Sequence, residues 1–200
     1  HFYDANVGVV NGEKKIIVDE SDDAVSSGEG LYWKYESFLK KADSDFYTSV
    51  GSAGELFAIR RSLYEEVPSG ISIEDFYVSI KIVLKGYRNV YEPKAFAKEF
   101  ASFSIKDEFK RKKRISAGAF KTIVTLKEIY QWKHIKVLFL YISHRVLRWT
   151  LAPLGMITLF VSNYFLEPQF YKLTFFVQVV FYLLALLGYF LSKTKRYKLI

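Results

Sequence analysis

The last quarter of the chain is almost free of charge, and this constrains the fold more than any other feature. Thr150 to Leu166 runs about seventeen residues without a charged side chain, and Leu173 to Leu191 about nineteen. Each is near the minimum length for a helix that crosses a bilayer. Glu167 to Lys172 separates them, so residues 150–200 read as a two-helix transmembrane hairpin ending in a basic tail. Arg145 and Arg148 precede the first span; Lys193, Lys195, Arg196 and Lys198 follow the second. Cationic flanks stay on the cytoplasmic side, which puts both ends of the hairpin there. A buried hairpin of a soluble protein is the competing reading. It explains neither the flanking charge nor the aromatic residues near the span ends. Just upstream, residues 135–149 interleave Lys136, His144, Arg145 and Arg148 with Val, Leu, Phe and Ile. That pattern suits an amphipathic helix lying in the membrane interface. His144 then reads as an interfacial residue, since one histidine without a partner at ligand spacing makes a poor metal site.

Residues 1–134 are mixed and charged, as in a soluble domain, and 200 residues allow one domain with an appendage. The absence of cysteine excludes disulfides, thiolate catalysis and Cys-ligated metals. A net charge of +8 invites nucleic acid as a partner. The basic residues cluster beside the apolar tail, however, where anionic lipid headgroups account for them. No secretory signal opens the chain, and His1 stands inside what reads as an ongoing domain, so a piece of a longer protein is expected.

The first domain reads as α/β. Asn6–Val10 and Lys15–Val18 are short β-branched runs around Asn11-Gly12, the dipeptide that favours a hairpin turn. Asp19–Gly30 is expected to be a loop. Glu29–Lys41 is expected to be a helix with Leu31, Tyr35, Phe38 and Leu39 on one face. After a turn over Gly51–Gly54, Leu56–Ile59 reads as a short buried strand and Ser62–Glu66 as a helical turn closed by Pro68. Ser72 suits the cap of a helix carrying Glu74 and Asp75 in its first turn and Phe76, Ile80, Val83 and Leu84 on its apolar face, with Gly86 as its stop. Asn89–Glu92 and Ala95–Ala97 read as strands around Pro93. Asp107–Tyr130 is expected to be a long basic helix, broken at Gly118.

Three stretches carry candidate chemistry: Gly51-Ser52-Ala53-Gly54, the acidic pair Glu74-Asp75, and the basic cluster Arg111-Lys112-Lys113-Arg114. One reading is an acid that deprotonates an acceptor, a tight turn beside the substrate, and cations for a phosphate leaving group. The plainer reading is a pair of acids suited to a helix dipole and a solvated basic face. Residue chemistry alone leaves both open.

The order and spacing of these stretches add a resemblance. Gly51-x-x-Gly54 runs into Phe57-Ala58-Ile59-Arg60-Arg61. Ile73-Glu74-Asp75, Gly86-Tyr87-Arg88-x-Val90-Tyr91-Glu92-Pro93 and Arg114 follow, with Ser143–Trp149 ahead of the apolar spans. Nearly the whole chain resembles the second half of a membrane-anchored family 2 glycosyltransferase, the group that includes cellulose, hyaluronan and poly-N-acetylglucosamine synthases. The resemblance implies residues 1–134 to be the acceptor-side part of a GT-A (Rossmann-like) catalytic domain. It implies an inverting hexosyltransferase, with a nucleotide-sugar donor, UDP-linked by preference, and a glycan or lipid-linked acceptor. In such enzymes the second acid of the pair is the base that deprotonates the acceptor hydroxyl. That position is Asp75, with Glu74 beside it in support. Gly51, Ser52, Ala53 and Gly54 fall at the substrate turn. Arg114 matches the arginine of a Q-x-x-R-W motif, where Arg111 replaces the glutamine and Ile115 the tryptophan. The replaced tryptophan leaves processivity unassigned. A divalent metal, Mg or Mn, is implied, held mainly by an upstream D-x-D motif. Asp4-Ala5-Asn6 is not that motif, because it directly precedes a strand that lies well downstream of D-x-D in the family. The implied setting is a bacterial inner (plasma) membrane with the catalytic domain in the cytoplasm and no nucleic-acid partner. A membrane-anchored scaffold that has kept the fold without catalysis is the alternative, and retention of Glu74-Asp75 and Arg114 argues against it.

Overall fold

The structure is a computed structural model that describes residues 1–17, 24–100 and 105–196. It divides into two compact units, 1–147 and 148–200.

The first unit is built on a three-stranded sheet in the order β2-β1-β3. The central strand β1 (Val7–Ile17) pairs antiparallel with β2 (Phe57–Ile59) and parallel with β3 (Arg88–Phe100). The hairpin expected at Asn11-Gly12 does not form; Val7–Ile17 is one continuous strand that takes in most of both runs, and Val18 lies outside the described residues. A tight two-residue hairpin turn needs positive φ, and Gly12 is not among the positive-φ residues. Its amide instead donates to the Leu56 carbonyl at 2.9 Å. The fully buried Asn11 side chain accepts from the Ala53 amide at 3.2 Å. The polar groups that suggested a turn are thus used to hold a neighbouring loop.

The two strands expected around Pro93 are likewise one. Register passes from Gly12↔Glu92 to Glu13↔Phe96, so Pro93, Lys94 and Ala95 form a bulge. A proline, which has no amide to donate, fits where the ladder is interrupted.

Between β1 and β3 the chain makes helix α1 (Ala24–Phe46), β2 and helix α2 (Glu74–Leu84). Residues 24–30, expected as loop, are the start of α1; the remainder of the expected loop, 19–23, lies outside the described residues. In α2, Val78 and Ile82 close on Val9 of the sheet, and Phe57, Ile59, Leu63, Val67 and Tyr87 pack around them. Full burial of such a side chain is worth about 1.5–3 kcal/mol, so this cluster fixes α2 on the sheet. Gly86, at φ 97°, follows the helix as expected. Ser72 does not cap it. The N-cap residue is Ile73, and the Ser72 hydroxyl donates to the Arg114 carbonyl at 3.0 Å.

Arg114 lies in α3 (Ile105–Thr125), which runs unbroken through Gly118. A Cβ at Gly118 would come 3.2 Å from Ile73 Cγ1; the bare glycine lets α3 cross close to the start of α2. After short 3-10 turns, α4 (Ile135–Tyr141) buries Val137, Leu140 and Tyr141 in the first unit. It continues as a π-helical turn, Ile142–Val146, into the short helix α5 (Leu147–Trp149).

In the second unit, α6 (Leu151–Phe165) and α7 (Gln169–Arg196) lie against each other. Phe160 meets Phe175 and Tyr182, and Asn163 donates to Gln178 at 3.2 Å. Residues Gln169–Phe190 form one helix long and apolar enough to cross a membrane, and none of it is buried. Helix α6, at 15 residues, is shorter than the span read from sequence.

Candidate active site

Asp75 sits in the first turn of α2, and the sequence around it dictates where its carboxylate goes. Phe76 is buried, and its ring lies where a Cβ on Gly51 would be. Gly51 has φ 83°, a conformation that costs an L side chain about 1–2 kcal/mol. Glycine is thus required at this point twice, by backbone and by ring. With Phe76 pinned, Asp75 points across the turn, and its Oδ2 lies 3.2 Å from where a Cβ on Gly54 would stand. Gly54 is exposed, so the carboxylate looks out over a bare patch of backbone.

The turn is held by buried polar side chains of β1 and β3. Asn89 donates to the Gly51 carbonyl at 3.3 Å and to the Ser52 hydroxyl at 3.4 Å. Asn11 grips Ala53 from the other side. Ser52 and Ala53, candidates for substrate contact, are themselves buried.

The acidic pair is split by the helix. Glu74 is exposed, whereas Asp75 is half-buried. Burial pushes the Asp75 carboxyl above the ordinary carboxylate range. The nearby negative charge of Glu55 adds to the rise, while the Phe76 amide and the Arg145 guanidinium only partly offset it. A raised carboxylate beside open backbone is poised to take a proton.

A network of buried charge surrounds Asp75, and sequence reasoning missed most of it. Helix α1 turns its charged side inward: Glu36, Lys40 and Asp43 are buried, while Leu31, Tyr35 and Phe38 are exposed. Glu36 pairs with Arg145 at 2.7 Å and Asp43 with His144 at 2.6 Å. The segment read as interfacial thus anchors two of its basic side chains, His144 and Arg145, on α1. Burial, aided by Arg145, drops the Lys40 ammonium to about 8. Lys14 of β1, almost wholly enclosed, bridges Glu55 and Glu99 at 2.6 Å each. Burial acts to raise Glu55, but the Lys14 hydrogen bond, a backbone hydrogen bond and the charges of Lys14 and Lys40 together outweigh it, and the carboxyl ends below its usual range. Spacing did hold a signal, for Glu36, Lys40 and Asp43 recur at i, i+4, i+7.

Arg114 is exposed on α3, and its backbone meets Ser72, three residues before Asp75. The structure therefore brings Asp75, Gly51, Gly54 and the main chain of Arg114 to one region. Arg111 lies one turn earlier on α3 and is half-buried. Among the described residues no group of three or more His, Asp or Glu side chains is placed to hold a metal ion.

The sequence profile of the family described as glycosyl transferase family group 2 matches residues 1–192. No curated protein matches the chain. With that match spanning nearly its full length, the chain belongs to glycosyl transferase family group 2.

Proposed function

We propose that this chain is the acceptor-side part of an inverting, membrane-bound glycosyltransferase. It moves a hexose from a nucleotide-sugar, UDP-linked by preference, to a glycan or lipid-linked acceptor at the cytoplasmic face. One observation carries the reading: the half-buried Asp75 carboxylate, raised by its surroundings, opens onto the exposed Gly54 backbone.

A sugar hydroxyl is a weak nucleophile. As its oxygen forms a bond to the anomeric carbon of the donor, the bond to the nucleoside diphosphate breaks on the opposite face. The configuration inverts, the hydroxyl proton passes to Asp75, and the diphosphate leaves with the bonding pair. Fixed cations stabilise the charge that gathers on the leaving group. Arg114 is assigned that part, because a guanidinium offers a planar pair of donors to phosphate oxygens. A divalent Mg or Mn ion is expected from the family. Among the described residues no cluster is placed to hold it, and no step is routed through it.

The second unit anchors the domain. Helix α7 supplies one span, and α6 is assigned the other, giving a hairpin whose basic tail stays on the cytoplasmic side. The exposed Ile135 and Phe139 of α4 suit contact with lipid headgroups and upper acyl chains.

The test is UDP release by the full-length protein in native membranes, across a panel of UDP-sugars. Release with at least one donor, dependent on an acceptor, is expected. Binding of no nucleotide-sugar would favour the scaffold alternative.

A further inference from the structure

Arg145 stands out among the side chains to which the proposed reaction assigns no part. One of its nitrogens pairs with Glu36 of α1 at 2.7 Å. The other terminal nitrogen donates to the Val50 carbonyl, the residue that enters the glycine turn, at 3.2 Å. Its guanidinium also lies 5.9 Å from the centre of the Phe76 ring, the residue after Asp75. One rigid cation thus touches α1, the substrate turn and the start of α2. It does so from a π-helical turn, an arrangement that re-aims side chains and recurs at functional sites.

We infer that Arg145 is a positioning residue for Asp75: by bridging Glu36, the Val50 carbonyl and the Phe76 ring, it sets the carboxylate at its short approach to Gly54. The inference rests on the reading of Asp75 as the base. Lysine is no substitute. Its single ammonium has no fork to span a carboxylate and a carbonyl, and it stacks less well on a ring. The geometry matters because a displacement of about 1 Å at a reacting group costs about a hundredfold in rate.

Other charges act on Asp75 from neighbouring elements: Lys40 on α1 and Glu55 after the turn. Arg145 differs from both in also contacting the backbone and ring that carry the site. Its charge lowers the Asp75 carboxyl against the rise from burial. Its removal therefore lifts the acid limb of the pH–rate profile to higher pH.

The test uses the full-length enzyme in membranes, reading kcat, donor affinity and the acid limb for Arg145→Gln, Arg145→Lys and Asp75→Asn. Arg145→Gln is expected to lower kcat about ten- to a hundredfold. Its acid limb moves up and donor affinity stays within about twofold. Arg145→Lys keeps the limb, because the charge remains, and still loses about tenfold in kcat because the bridge is gone. Wild-type kcat in Arg145→Lys overturns the inference, and this variant decides if Arg145→Gln fails to fold. An unmoved limb in a folded Arg145→Gln, with kcat and donor affinity falling together, also overturns it and leaves a purely structural role. Failure of the underlying reading looks different: Asp75→Asn would then turn over with the wild-type limb intact.

Discussion

At the scale of single residues, the two acids of Glu74-Asp75 divide by burial. Asp75 is held in from solvent and raised, whereas Glu74 is exposed, so Glu74→Gln is expected to cost far less activity than Asp75→Asn. The raised carboxyl also has a stability sign. The folded chain binds the Asp75 proton more tightly than the unfolded chain does. Stability from this group is thus present at low pH and is lost as pH rises through the folded value. At neutral pH the ionised carboxylate is a net cost, and Asp75→Asn should raise the Tm of the detergent-solubilised protein. A lowered Tm would mean the carboxylate has partners that offset its burial. Gly54→Ala tests the approach itself. The new methyl would stand 3.2 Å from Oδ2, tight enough to displace the carboxylate without straining the backbone. Activity should fall by about ten- to a hundredfold with Tm little changed; normal turnover would remove Gly54 from the site. Arg114→Lys should lose most activity, and Lys112→Ala little, in the same UDP-release assay. Equal losses would mark a general surface charge cluster.

At the scale of elements, α2, β2 and the glycine turn were legible because their signals are local, although β2, expected to be buried, has an exposed Ala58 between half-buried Phe57 and Ile59. An acidic first turn, helical apolar spacing and Gly86 locate α2 without any partner. What stayed hidden depended on partners distant in sequence. Asn11-Gly12 has the composition of a turn, but the loop at 49–56 claims its hydrogen bonds and β1 runs on through it. Helix α1 was legible as a helix but not in orientation. Its apolar residues were read only as sharing one face; Arg145 and His144, a hundred residues on, pair with its acids, and Leu31, Tyr35 and Phe38 of that face are exposed. A pair as enclosed as Glu36–Arg145 is expensive to break, about 3–5 kcal/mol when one partner is removed. Glu36→Ala should therefore lower Tm sharply, and a change within about 0.5 kcal/mol, as at an ordinary surface site, would show the pair to be solvated. The second apolar run was legible as a helix long and apolar enough to cross a membrane, whereas α6 is shorter than the span read for it. A Gln169→Cys variant, at the first residue of α7 beside the connection to α6, should react with an impermeant thiol reagent added outside intact cells. Labelling only after lysis would contradict the hairpin topology.

At the scale of the whole molecule, the family is secure and the reaction rests on one carboxylate. The family was legible in the order of the motifs, since each is weak and only their succession is specific. The acceptor, the sugar and the linkage leave no such trace. They are set by pocket walls, and the parts proposed for Asp75, Gly54 and Arg114 are common to many sugars. The central claim is that Asp75 takes the acceptor proton. The most direct measurement is kcat for Asp75→Asn in the full-length enzyme, made beside donor affinity in the same membranes. Loss of general-base catalysis should lower kcat about a hundred- to ten-thousandfold, with the donor bound as tightly as by the unaltered enzyme. Loss of donor binding with normal turnover of whatever donor still binds would make Asp75 a donor contact and contradict the mechanism.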